Sequence, residues 1–96
     1  MDVDVGSLVL SVSGRDKGDL FVVLRCEEDF LYLANGKARK VEKPKKKKLR
    51  HISAIGMELE NLKNKLKSGE MPTNAEIRKS LKEYAPDVKD ESQGRV

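Results

Sequence analysis

The hydrophobic period of this chain changes at Gly56. Before it, apolar residues recur at alternate positions in short runs; after it, they recur at spacings of three and four. The first period puts alternate side chains on opposite faces of a strand, and the second draws a stripe along a helix. The chain is therefore expected to be mainly β, with α structure at its C-terminal end. Its 96 residues suit one small domain, or a smaller one with an appendage. They leave little room for the deep pocket of an enzyme.

Residues 8–12 read as a first strand, with Leu8, Leu10 and Val12 on one face. Residues 20–26 read as a second, with Leu20, Val22, Leu24 and Cys26 inward and Phe21, Val23 and Arg25 opposite. A third covers residues 30–34 and runs into Asn35-Gly36. That pair is the strongest short hairpin signal, because a type I′ turn needs positive φ at both central positions. Folding back on it pairs Leu33 with Ala38, Tyr32 with Arg39 and Leu31 with Lys40. Lys40 then falls on the apolar face, which predicts a bulge near Arg39–Lys40. Pro44 is expected to end this fourth strand, leaving residues 45–48 as a protruding loop and residues 49–52 as a short fifth strand.

Beyond Gly56, the residues Ile55, Leu59, Leu62 and Leu66 predict an amphipathic helix that Gly69 stops. Thr73 and Glu76 stand at capping-box spacing and open a second helix. Ile77, Leu81 and Tyr84 form its stripe and Pro86 its end. Residues 87–96 have little to bury and are expected to be disordered. The expected organisation is a strand-rich unit over 1–56, a helical extension over 57–86 and a tail over 87–96.

Charge is as segregated as hydropathy. Residues 37–51 hold Lys37, Arg39, Lys40, Lys43, Lys45, Lys46, Lys47, Lys48 and Arg50 against one acid, Glu42, a local net charge of +8 in a chain of net charge +4. Such a field attracts a polyanion, and nucleic-acid phosphate is the usual one. A solvated lysine linker or a targeting signal is the bland alternative. Arg15 and Lys17 lie in a loop bracketed by Gly14 and Gly18, whose backbone N–H groups are candidates for phosphate. Tyr32 and Phe30 could stack on unpaired bases; strand aromatics more often pack, and packing is the expectation for Phe30.

Other chemistry finds little support in the composition. His51 is the single histidine and Cys26 the single cysteine, so there is no intrachain disulfide and no ready zinc set. Residues 27–29 are three acids in a row, which reads as a solvated turn and not a calcium loop. Ser11 and Ser13 lack an evident base partner. Gly-Lys is nowhere followed by Ser or Thr, so a phosphate-loop nucleotide site is absent. No cofactor, metal or catalysis is expected. The acidic start Met-Asp-Val-Asp-Val does not resemble a signal peptide, and no apolar run is long enough to cross a membrane. The expected compartment is the cytoplasm.

Three segments together resemble a KOW motif: Val5-Gly6-x-x-Val9, then Ser13-Gly14-Arg15-Asp16-Lys17-Gly18, then Leu20-Phe21-Val22-Val23-Leu24. The chain has Phe21 where many KOW motifs have a further glycine, which separates it from the KOW domains of transcription elongation. Asn35-Gly36-Lys37-x-Arg39-Lys40-Val41 and Leu49-Arg50-His51-Ile52 are similar to the L-fourteen-e type of large-subunit ribosomal protein and its small bacterial relatives. The resemblance covers about residues 5–55. It implies a five-stranded SH3-like barrel, which the two short helices read from periodicity would follow. It also implies non-catalytic binding of structured RNA, mainly ribosomal RNA, in translation, with ribosomal proteins as further neighbours. The competing expectation is a protein-interaction module that docks a partner on the barrel or on the helix pair.

Overall fold

The computed structural model describes residues 3–84. The expected tail at 87–96 and the helix end at Pro86 lie outside the described residues. Five antiparallel strands form one sheet: β1 Ser7–Ser11, β2 Leu20–Cys26, β3 Phe30–Ala34, β4 Lys45–Lys48 and β5 Ile52–Glu58. Their spatial order is β4-β3-β2-β1-β5, so β4 and β5 are the sheet's edges. A single 3₁₀ turn, Leu49–His51, joins those two edges. Helices α1 Glu60–Lys67 and α2 Asn74–Tyr84 follow.

The sheet carries a hydrophobic cluster on each face. Val9, Phe21, Val23, Leu31, Leu33 and Ile52 form the first, with Leu49 and Val3 packed at its margin. Val22, Leu24 and Ala34 form the second together with Leu62 of α1 and Ile77 of α2. The helices are thus a lid on one face of the sheet. Leu62 and Ile77 are fully buried there, and each contributes on the order of 2 kcal/mol by leaving water. Strand β2 therefore reads as a nearly continuous apolar run, because from Phe21 to Leu24 both of its faces are covered.

A bulge explains where strict alternation fails. Val23 is opposite Leu33, and the next pair is Arg25 opposite Tyr32, so Leu24 is the extra residue. Leu24 packs in the helix-side cluster, and the pairs on either side of it keep their own faces. Cys26 consequently sits opposite Leu31 at the rim of the sheet. There burial, with Asp4 nearby, pushes its thiol pKa up, the wrong direction for a reactive thiolate.

The fourth strand is the main departure from expectation. Residues 35–44 are a loop, not a strand, and the lysine run itself is β4. Leu33 pairs with Lys45, Leu31 with Lys47 and Phe30 with Lys48. The expected pairings of residues 30–33 with 38–41 do not form. Asn35 does not adopt positive φ, so no type I′ turn is present; Gly36 alone does, at φ 78. Asn35 instead uses its side chain: its Oδ1 accepts hydrogen bonds from the Lys37 and Arg39 backbone N–H groups, each at 3.0 Å. An Asx-type turn of this kind competes with the hairpin.

The loop at 35–44 is then fastened to α2. The Asn74 Oδ1 accepts from the Val41 N–H at 2.9 Å, and Arg78 donates to the Gly36 carbonyl at 2.7 Å. A Cβ on Gly36 would stand 2.5 Å from the Asn74 carbonyl oxygen, so only glycine permits this approach. Gly6 plays the same part for α1, where a Cβ would stand 2.5 Å from the Lys63 Cβ.

The remaining elements are closer to expectation. The first helix starts at Glu60; Ile55 belongs to β5, which pairs along β1 as far as Glu58. Leu59, Leu62 and Leu66 still form the helix-side stripe. Gly69 closes α1 through its N–H to the Leu66 carbonyl at 3.1 Å. The capping box of α2 forms in both directions, Thr73 N–H to Glu76 Oε1 at 2.9 Å and Glu76 N–H to Thr73 Oγ1 at 3.1 Å. Residues 49–51 are the 3₁₀ turn and only Ile52 of the expected fifth strand is extended. No helix among the described residues is long and apolar enough to cross a membrane.

Candidate nucleic-acid interface

Strand β4 sorts its four lysines by face. Lys45 and Lys47 share the face of Leu33 and Leu31, and Lys46 and Lys48 share the face of Tyr32 and Phe30. Lys47 turns inward and is 7% exposed. Its Nζ donates to Asp16 Oδ1 and to the Ser13 carbonyl, both at 2.6 Å. The Ser11 hydroxyl donates to the same Asp16 oxygen at 2.7 Å. Burial opposes ionisation of Asp16, but the hydrogen bonds from Lys47 and Ser11 outweigh it and hold the carboxyl below its ordinary pKa. The expectation that residues 45–48 form a protruding loop of free cations is therefore corrected: Lys47 is a buried structural ion.

The same network shapes the loop between β1 and β2. Asp16 points to Lys47, while Arg15 and Lys17 remain exposed on either side of it. Three of the loop's backbone donors, that of Gly18 among them, are already engaged. Lys17 N–H reaches the Gly14 carbonyl at 3.2 Å, Gly18 N–H the Ser11 carbonyl at 2.8 Å and Asp19 N–H the Asp16 carbonyl at 2.9 Å. The expected approach of phosphate to the backbone N–H of Gly18 is thus not available. This loop offers two side-chain cations instead.

On the other face, Lys46, Phe30, Tyr32 and Arg25 form a partly exposed platform. The Lys46 Nζ lies 4.5 Å from the Phe30 ring centroid and 6.0 Å from that of Tyr32. The Arg25 guanidinium lies 5.2 Å from the Tyr32 ring and pairs with Glu27 at 2.6 Å. The Tyr32 hydroxyl donates to the same Glu27 at 3.2 Å. Phe30 belongs to neither core cluster, contrary to the expectation that it packs. The helical lid covers the Ala34 end of this face and leaves the Phe30 end open. Beside Phe30 a cleft of about 610 Å³ is lined by Asp29, Phe30, Lys48, Leu49 and Arg50.

Lys37, Lys40 and Lys43 are exposed and Arg39 is half-buried along the loop that docks on α2. Glu42, the one acid of this stretch, is held below its ordinary pKa by the Asn74 amide at 2.9 Å. Among the described residues Lys37, Lys40, Lys43, Lys46, Lys48, Arg50, Arg15 and Lys17 make no ion pair. The α1 lysines differ: Lys63, Lys65 and Lys67 pair with Glu58, with Glu70 and Glu76, and with Asp4. Sequence reasoning missed Arg25 as a member of the platform and, having named Phe30 as a candidate for stacking, favoured packing for it. The bulge at Leu24, which no local signal marks, is what brings Arg25 opposite Tyr32. No group of three or more metal-ligating side chains occurs among the described residues.

No protein-family model matches the chain, and no curated protein matches it in sequence.

Proposed function

We propose that this chain is a non-catalytic RNA-binding protein whose sheet is an SH3-like barrel of the KOW type. Its target is structured RNA, with ribosomal RNA the class that the sequence resemblance implies. One observation carries the reading: the exposed cations of residues 37–50 lack acidic partners among the described residues, whereas the lysines of α1 are paired. Unpaired cations next to half-exposed aromatic rings suit a ligand that presents both phosphate and base surfaces. Duplex RNA needs cations more than base-reading groups, and these are what the edge strand and its flanking loop supply.

The test is equilibrium binding to an RNA stem-loop at several salt concentrations. With about half of the exposed cations neutralising phosphates, log K against log salt should fall with a slope of roughly −3 to −4. Co-sedimentation with ribosomal subunits, lost at high salt, would identify ribosomal RNA as the target. Absence of RNA binding at low salt would overturn the reading in favour of a protein-docking module.

A further inference from the structure

The aromatic and acidic lining of the cleft beside Phe30 is not needed for duplex binding, which uses mainly phosphates and 2′-hydroxyls. Its lining is mixed in a specific way. Phe30 supplies an aromatic ring, Leu49 an apolar wall, Lys48 and Arg50 two cations, and Asp29 a carboxylate. The cations flank the ring by construction: Lys48 is Phe30's cross-strand partner, and Arg50 follows Leu49 in the 3₁₀ turn. Asp29 is fixed in place by its own carbonyl, which accepts from the Leu49 N–H at 2.9 Å. Its carboxylate makes no hydrogen bond or ion pair among the described residues, although two cations line the same cleft. A carboxylate left open between cations and an aromatic ring is matched by a ligand that carries an anion, a flat face and hydrogen-bond donors together.

We propose that this cleft seats one unpaired nucleotide of the RNA, with its base on Phe30 and its phosphate on Lys48 and Arg50. This rests on the RNA-binding reading and adds the form of RNA preferred: a stem interrupted by a bulged or looped-out base. Guanine is the favoured base, because its N1–H and N2–H donors lie side by side and suit one carboxylate. Adenine and cytosine each offer one exocyclic amine, and uracil one ring N–H. Lys46, now over the Phe30 ring, is exposed and has a flexible stem. Its ammonium can move to the phosphate when a base takes its place.

The experiment compares the full chain's affinity for three RNA stems at one salt concentration: fully paired, with a single bulged G, and with a single bulged U. Stacking of one base on an aromatic side chain predicts roughly tenfold tighter binding of the bulged-G stem than of the paired stem. The bulged-U stem should fall between them. Phe30→Ala should bring the ratio of bulged-stem to paired-stem affinity to about one, whatever its paired-stem affinity. Asp29→Asn, at an exposed position outside both cores, should remove the preference of G over U and keep that of bulged over paired. Equal binding of all three stems by the wild-type chain, with a normal salt slope, would overturn the nucleotide seat and leave the RNA reading standing. Failure to bind any stem at low salt would overturn both.

Discussion

Lys47 and its neighbours Lys46 and Lys48 are chemically identical and adjacent, yet they do opposite work. Lys47 faces the sheet's interior, is 7% exposed and holds Asp16 at 2.6 Å. Lys46 and Lys48 face outward beside Phe30 and are exposed, without acidic partners among the described residues. Strand pleating alone separates them, since successive side chains point to opposite faces. A charge run is therefore not one patch: on a strand, half of it can be drawn inside if an acid waits there. The inward lysine ties edge strand β4 to the β1–β2 loop, and the outward ones keep the edge charged. Lysines on an edge strand also discourage pairing with another chain.

The sharpest way to break this comparison is to delete the same side-chain charge on each face. Lys47→Met leaves the half-buried Asp16 with the Ser11 hydroxyl but without its cation, which should cost about 3 kcal/mol. That corresponds to a fall of roughly 10–20 °C in melting temperature for a domain of this size. Lys46→Met should stay within about 0.5 kcal/mol of wild type. Similar melting curves for the two variants would show that the inward placement is wrong.

The register that decides which lysines face inward depends on how residues 35–44 dock against α2. A slip of one residue would exchange the two sets. Gly36→Val places a β-branched side chain at φ 78 and against the Asn74 carbonyl. It should destabilise the fold by roughly 2–3 kcal/mol. Chemical denaturation reads this directly, and a change below 1 kcal/mol would remove the docking from the account.

Acid should sharpen the contrast. The folded-state pKa of Asp16 lies below its ordinary value of 3.8. Its stabilising contribution is therefore present above that value and is lost as pH falls through the folded pKa. In Lys47→Met that carboxyl loses the hydrogen bond that most lowers its pKa, so the pKa should rise and acid should cost the variant less than the wild type. The stability gap between wild type and variant should narrow as pH drops below about 4. A gap independent of pH would mean that Asp16 is not the group Lys47 serves.

The outward set should matter least to the fold and most to the ligand. The combined changes Lys46→Gln, Lys48→Gln and Arg50→Gln should leave the melting temperature nearly unchanged. They should flatten the salt slope of RNA binding by about 2–3 units if each cation meets a phosphate. The fair control is Lys79→Gln with Lys82→Gln on α2, which pair with no acid among the described residues. Lysines 63, 65 and 67 are unsuitable because their ion pairs hold the helices. Loss of binding in the α2 variant alone would move the RNA face to the helical side.

Much of this protein follows from local rules. The periods on either side of Gly56 separate sheet from helices, and the Thr73–Glu76 capping box and the stop at Gly69 form from contacts within one turn. Leu31 and Leu33 reach the core on the face that alternation gives them, whereas Phe21 and Val23, expected opposite the inward face of β2, are buried as well and Cys26, expected inward, is exposed, because this sheet has a core cluster on each face. Arg15, Lys17, Lys46, Lys48 and Arg50 are exposed cations, as their charge requires. What sequence did not determine is which segment became β4. Asn35-Gly36 favours a tight hairpin, and Lys45–Lys48 has poor strand propensity and strong self-repulsion. The outcome was decided by partners distant in sequence: Asn74 and Arg78, which capture residues 36–41, and Asp16, which neutralises Lys47. Those interactions exist only once α2 and the β1–β2 loop have been folded against the sheet, so only the tertiary structure could assign one lysine to the core and its neighbours to the surface.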